Sequence, residues 1–259
     1  MNFSKYIILL ICSNYIQKIN PMTHNIIYLK DRKFICENTI GMWFDYSETG
    51  FTFIPGQYTF ITILDPIYND DEGNTRVFSI ASTPTNKKTL LFATRAFDSA
   101  FNKNILELPI GTKLSIGETG GNTPLHTDTS LPAVFLIGGI GITPVRCITE
   151  YVIENNLPYD MTLFFSNPKA ESMAFLNEFE KWAEENKNFK LIPTIDDREN
   201  KNWKYNFGYI NEDLIKKQIS DFMKPIFYII GPPALVDSME NILLKNGVKK
   251  EKIKLERFG

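Results

Sequence analysis

The chain has 259 residues, 43% of them hydrophobic and 22% charged, with a formal net charge of -2. That size accommodates two ordinary domains around substantial cores, which excludes a disordered polymer. A charge so close to balance lacks the clustered Lys and Arg that phosphate neutralisation needs, so nucleic acid is excluded as a partner.

Residues 1–22 read as an N-terminal extension. Its apolar run YIILLIC, Tyr6 to Cys12, is shorter than the roughly 20 residues that span a bilayer. The following CSNYIQKINP offers no small-residue cleavage site. Met22 comes next, so an over-extended start or a loosely packed segment is preferred to an export signal, and a cytoplasmic location without stable membrane insertion is expected.

Residues 23–128 carry short runs of β-branched and aromatic residues broken by turns: NTIGMWFDY, GQYTFITIL, RVFSIAS, TLLFATRA and TKLSIG. Pro55-Gly56 supplies the turn ahead of the second run. This half is predicted to be an all-β antiparallel Greek-key barrel.

After LHTDTSLP the rhythm changes, and residues 131–259 alternate strand and helix. AVFLIGG leads into a helix with Thr143 as N-cap and Pro144 at its first position, its Val145, Ile148 and Val152 repeating at helical spacing. MTLFFSN precedes a helix with Phe175, Leu176, Phe179, Trp182 and Ala183 on one face. FKLIPTI and GYINEDLIKKQI form the next pair, then IFYIIGPP and ALVDSMENILLKNG, with Gly247 as the C-terminal cap and KIKLERFG as a fifth strand. Such alternation predicts an α/β doubly wound parallel sheet.

Cys12, Cys36 and Cys147 are odd in number and far apart, and His24 and His126 stand in no ligand or triad pattern. No metal site is therefore expected within the chain. Glycines are the more informative signal. In FLIGGIGITP, residues 135–144, a strand ends at Gly138-Gly139 and turns through Gly141, where ligands of parallel sheets approach the backbone and a helix N-terminus. Pro144 stands where the dinucleotide fingerprint would have its third glycine, so the loop alone reads equally as a phosphate cradle or a tight turn. IIGPPALV (229–236) places a second strand-end glycine in the same sheet.

Taken in order, PGQY (55–58), TRVFSIAS (75–82), GGIGITP, IIGPPALV and the terminal LERFG resemble the ferredoxin-NADP reductase family, over roughly residues 25–259. The resemblance implies a flavin-binding barrel followed by a nicotinamide-nucleotide domain, with FAD preferred to FMN and NADPH or NADH as substrate. It implies hydride transfer to the flavin, then electron delivery to a ferredoxin, flavodoxin, haem protein or small-molecule acceptor. A flavin-binding electron-transfer or regulatory subunit of a larger complex is the alternative, and a flavin-free dehydrogenase a further one.

Residue roles follow from the same resemblance. Arg76, Val77, Phe78 and Ser79 match the Arg-x-Tyr/Phe-Ser signature: Arg76 toward flavin phosphate, Phe78 toward the ring or ribityl chain, Ser79 toward flavin N5. Ala93 and Arg95, with the turn from Ser99 to Phe101, would meet the ring and diphosphate. GETGGNT (117–123) departs from the family's G-P-x-G-x-F. Gly139, Gly141, Thr143 and Pro144 would floor the nicotinamide, and Ser166 and Asn167 lie in the nucleotide-specificity segment. There Lys169 and Arg198 favour an added phosphate while Asp196 and Asp197 disfavour it, leaving NADH versus NADPH open. Gly231, Pro232 and Pro233 complete the nucleotide side, with Ile230 where many relatives have cysteine. At the terminus, Phe258 would shield the flavin face, and Glu256 joins Ser79 as a catalytic candidate.

Overall fold

The computed structural model describes residues 25–258. The extension 1–22 and its apolar run lie outside the described residues, as do Cys12, His24 and Gly259. Strands β1 (Asn25–Cys36), β2 (Thr39–Asp45), β3 (Tyr58–Ile63), β4 (Thr75–Ser79), β5 (Thr89–Arg95) and β6 (Lys113–Gly120) form one sheet in the order β4-β3-β6-β1-β2-β5. Every pairing is antiparallel, and β6 inserts between β3 and β1, the crossover of a Greek key. The edges meet just beyond β4, where Ala81 N donates to Leu91 O at 2.8 Å. Helix α1 (Ala100–Glu107) closes one end. Inside, Phe78 packs 5.4 Å from Phe101 and 6.1 Å from Phe92, centroid to centroid.

A second six-stranded sheet follows: β7 (Ala133–Gly138), β8 (Met161–Asn167), β9 (Phe189–Ile195), β10 (Asn206–Phe207), β11 (Ile226–Gly231) and β12 (Ile253–Arg257), in the order β10-β9-β8-β7-β11-β12. All of its pairings are parallel. Helices α2 (Ile142–Glu154), α3 (Leu176–Glu185), α4 (Glu212–Gln218) and α5 (Pro233–Lys245) supply the connections. Because both faces are covered, β7, β8 and β11 are buried at every position, which is why they read as unbroken apolar runs rather than alternation. Strand order reverses between β7 and β11, so the switch point lies where the two glycine loops leave the sheet.

Three local readings are corrected. The parallel sheet has six strands rather than five, because β10 is only two residues long and carries no period of its own. Thr143 is not the N-cap: α2 starts at Ile142 after a 3-10 turn over Gly139–Gly141, and the Thr143 hydroxyl donates to Ile140 O at 3.1 Å from inside the first turn. Pro144 is then its third residue rather than its first. Gly247 does occupy the left-handed conformation past α5, at φ 84°, with its N–H on Leu244 O at 3.0 Å.

The halves share one apolar core. Ala81, Leu91 and Ala93 of the barrel pack with Ile137, Val145, Ile148 and Val152, while Cys147 on the same helix is buried in the barrel core. Burial pushes the Cys147 thiol up to about 12, so it acts as a small apolar residue rather than a nucleophile.

The contact that seats α2 is glycine-dependent. A Cβ on Gly141 would lie 2.6 Å from Ile230 O, whereas one on Gly50 would meet nothing within 4 Å. Gly141→Ala is therefore expected to lower unfolding stability by about 2 kcal/mol through overpacking, and Gly50→Ala to stay within about 0.5 kcal/mol of the parent. Denaturant unfolding of both variants checks this.

Candidate functional site

Four glycines at the switch point do two different jobs. Added Cβ atoms at Gly138 and Gly231 would fall 2.8 Å from Leu235 Cδ1 and 3.1 Å from Gly138 N, so these positions, like Gly141, are small because protein packs against them. Gly139 differs: its φ is 56°, and the nearest atom to a built Cβ is Arg95 Nη2 at 3.5 Å. FLIGGIGITP is thus a tight turn at Gly141, while at Gly139 the nearest group is the Arg95 guanidinium of the barrel, at ordinary contact distance from a built Cβ.

Arg95 reaches across the two halves. Its Nη1 donates to Thr39 Oγ1 at 2.7 Å and Ser172 O at 3.2 Å, and its Nη2 to Asn167 Oδ1 at 3.1 Å. Asn167 and Ser166 are both buried at the carboxyl end of β8. The Asn167 amide Nδ2 has no hydrogen-bond partner among the described residues. One strand further out, Tyr209 is 71% exposed and donates its hydroxyl to Asp196 Oδ2 at 3.1 Å. Lys169 and Arg198 are exposed at the ends of β8 and β9, close to that carboxylate in the sheet.

The barrel contributes a second corner. Tyr58 pairs with Ser79 on one side and Gly120 on the other, which brings the Pro55-Gly56 turn, β4 and the 120–124 segment together. Ser79 is 6% exposed. Its hydroxyl hydrogen-bonds to no other described residue. Thr123 Oγ1 donates to Glu256 Oε2 at 2.8 Å, so the end of β12 is tied to the barrel. Phe258 N donates to Gly231 O at 3.0 Å, and its ring packs on the shared core.

Not every expected residue faces this cleft. Side chains alternate along a strand, so Phe78 and Ser79 point to opposite faces of β4. Phe78 belongs to the barrel core with Phe101 and does not present itself to a ligand beside Ser79. Val77 is 50% exposed on the outside. Ala93 is buried against the α/β half, and Thr143 and Pro144 are buried within α2. Ser99 caps α1, accepting from Asn102 N at 3.2 Å. Pro232 and Pro233 begin α5, as N-cap and first residue. Arg76 lies near α1, its guanidinium carbon 5.5 Å from the Phe101 centroid. Thr39, Thr123 and Ser172 were not legible as site residues, because only tertiary contacts bring them to the cleft.

Residues 135–241 match the family model described as the oxidoreductase NAD-binding domain. The chain is 26% identical to one component of the Na(+)-translocating NADH-quinone reductase of Idiomarina loihiensis, over 73% of its own length and 50% of the relative's. It overlays the cytochrome b5 reductase domain of Ulva prolifera nitrate reductase with a TM-score of 0.78 at 16% identity, covering 92% of this chain and 98% of that one. Against ferredoxin-NADP+ reductase from Plasmodium falciparum the TM-score is 0.72 at 18% identity, covering 91% and 96%. The chain has the fold of ferredoxin-NADP reductase, and its second half is similar to the oxidoreductase NAD-binding domain. It spans about half the length of the quinone-reductase relatives it matches.

Within this fold Glu256 is an acid whose titration the cleft perturbs. Burial pushes its carboxyl above the usual carboxylate range, and the Thr123 hydrogen bond opposes that rise. A carboxyl raised in the folded state favours folding while protonated, and this contribution fades as pH rises through the folded value. Thr123→Val, which removes the opposing hydrogen bond, is expected to raise the Glu256 pKa further. Carbon-13 NMR titration of labelled glutamate carboxyls reads the shift, with Glu256→Gln assigning the resonance; an unmoved or lowered pKa contradicts the account.

Proposed function

We propose that the chain is a flavin-dependent NAD(P)H oxidoreductase module that passes electrons to a separate acceptor. The observation that carries this reading is the meeting, across one shared core, of a barrel corner with the ligand-receptive end of an NAD-binding sheet. Residues 23–128 form the flavin side and residues 131–259 the nicotinamide side.

The residues present fit FAD at the ring and phosphate ends. Ser79, a residue only 6% exposed, offers a hydroxyl that bonds to no other described residue, and Arg76 stands beside the N-terminus of α1, a combination suited to phosphate. When bound, the flavin accepts hydride from a nicotinamide and releases electrons one at a time. The protein's part is placement and electrostatics. Ser79 directs a hydrogen bond to the ring, and Arg76 with the amides after Ser99 holds the diphosphate. Gly139 lets the nucleotide approach the backbone, with Gly231, Pro232 and Pro233 alongside. Arg95 and Asn167 orient the nucleotide between the halves, Phe258 covers the ring, and Glu256 stands beside it with a carboxyl whose pKa burial has raised.

A separate acceptor is in keeping with a relative named the electron transfer component of anthranilate 1,2-dioxygenase of Acinetobacter baylyi, to which the chain is 26% identical. The acceptor is a ferredoxin-like or haem protein, or a small oxidant. A subunit with little turnover alone is the second reading, favoured by the quinone-reductase relatives, each of which is named as one subunit of a larger enzyme. Cys36 and Cys147 are free thiols, in keeping with a reducing, cytoplasmic compartment. No described helix is long and apolar enough to cross a membrane.

Full-length protein incubated with FAD, FMN or riboflavin and desalted is expected to retain FAD. Its visible band should bleach anaerobically with NADH or NADPH, and the faster donor identifies the nicotinamide preference. Retention of no flavin at all overturns the proposal, and retention without bleaching by either donor favours the subunit reading. Arg76→Ala is expected to weaken FAD binding more than about tenfold, the scale of a lost charge-assisted hydrogen bond; equilibrium fluorescence quenching measures it.

A further inference from the structure

The segment LDPIYNDDEGN, residues 64–74, joins β3 to β4 and carries Asp65, Asp70, Asp71 and Glu72. It is strapped down onto α1. Ile67 N and Tyr68 N donate to Asn104 Oδ1 at 2.6 and 3.1 Å, and Asn104 Nδ2 donates back to Tyr68 O at 2.8 Å. The Tyr68 hydroxyl donates to Glu107 Oε2 at 2.7 Å. Because Asn104 is only 1% exposed, this clamp is part of the packed structure rather than a surface contact.

The clamp delivers Asp70 to the first turn of the helix. Its Oδ2 accepts from Ala100 N at 2.8 Å, while its Oδ1 lies 3.5 Å from Arg76 Nη2. Arg76 is otherwise occupied by the same loop. Nη1 donates to Glu72 O, Gly73 O and Thr75 O at 3.0, 2.9 and 2.9 Å, and Nη2 meets Glu72 Oε2 at 2.8 Å. Two donors from different elements, an amide of α1 and a guanidinium of β4, thus converge on one carboxylate. These are the donors assigned above to the flavin diphosphate.

We propose that Asp70 is an internal anion seated in the phosphate cradle, so that a phosphate-bearing flavin enters only by displacing the 67–73 strap. This rests on the flavin reading of the site. The physical basis is exclusion: one N–H and one guanidinium edge cannot satisfy a carboxylate and a diphosphate at the same time. A strap closed about nine-tenths of the time lowers apparent affinity about tenfold, because only the open fraction is competent. Riboflavin, which has no phosphate, does not compete with Asp70, so the strap selects among flavins by their phosphate end. The Ala100 hydrogen bond, helped by Arg76, holds the Asp70 carboxyl below its ordinary range, and the competing charge is present at neutral pH.

The test measures binding to the full chain by calorimetry, with inorganic pyrophosphate, FAD and riboflavin as probes. Asp70→Asn is expected to bind pyrophosphate and FAD about tenfold more tightly, with riboflavin unchanged. Asp71→Asn, which removes the same charge from an exposed neighbour, should change each by less than about twofold. Tyr68→Phe loosens the clamp while leaving Asp70, Arg76 and α1 intact, and should tighten pyrophosphate in the same direction. It keeps the proposal testable if Asp70→Asn fails to fold. Unchanged or weaker pyrophosphate binding in the folded variants overturns the strap, as does an equal gain in Asp71→Asn, which would make the effect one of general charge. If pyrophosphate tightens but no variant binds any flavin, the flavin reading falls and the anion strap stands. If FAD binds in an Arg76-dependent way without an Asp70 effect, only the strap falls.

Discussion

Arg146 donates through Nη1 to Ala81 O of the barrel at 2.7 Å, although the residue is 8% exposed and sits on a helix of the other half. A buried guanidinium is tolerable only when its remaining donors are satisfied. Glu150 at 3.0 Å and Glu178 at 2.6 Å provide that compensation, and Phe175 and Trp182 lie against its faces. Glu150 in turn accepts from Thr83 N of the barrel at 2.9 Å. This network pins α2 to the barrel at its middle, while the glycine turn at its start is pinned to β11. The cleft between Arg95 and Gly139 has its width because both anchors act on one helix.

That rigidity explains the division of labour among the glycines. Three of them, Gly138, Gly141 and Gly231, serve to bring the β7 and β11 loops into contact. Only Gly139 leaves its missing side chain toward the cleft. A glycine-rich loop at a strand end therefore has two physical uses at once. Packing explains three of the four glycines, and in the proposed reading nucleotide approach needs only the fourth.

The alternation of strands and helices was legible because burial on one face or two imposes a period on the chain. Val145, Ile148 and Val152 read as one stripe and do pack together in the shared core. β10 was not legible, since two residues cannot show a period. Nor was β1, although NIIYLKDRKFIC is the longest strand of the barrel, because its charged middle breaks the apolar pattern. Thr143-Pro144 has the composition of a helix start, yet the 3-10 turn ahead of it moved the true start two residues earlier. Phe78 illustrates a different limit. A motif match assigns its neighbours to one ligand, but the pleat sends Phe78 and Ser79 to opposite faces, and the barrel core claimed the aromatic ring.

By itself the amino-acid order determined two architectures, their sequence along the chain and the places where the backbone must turn on glycine, because these follow from local periodicity and steric freedom. Which polar groups face one another was decided only in three dimensions. Arg76 with Asp70, Arg95 with Asn167, and Thr123 with Glu256 are joined across 6, 72 and 133 positions. For the last two no local pattern encodes the approach; it arises when two cores merge and bring distant strand ends to the same corner. Even the near pair depends on the clamp that Asn104 makes, since a short acidic loop has no preferred partner until α1 is packed beneath it.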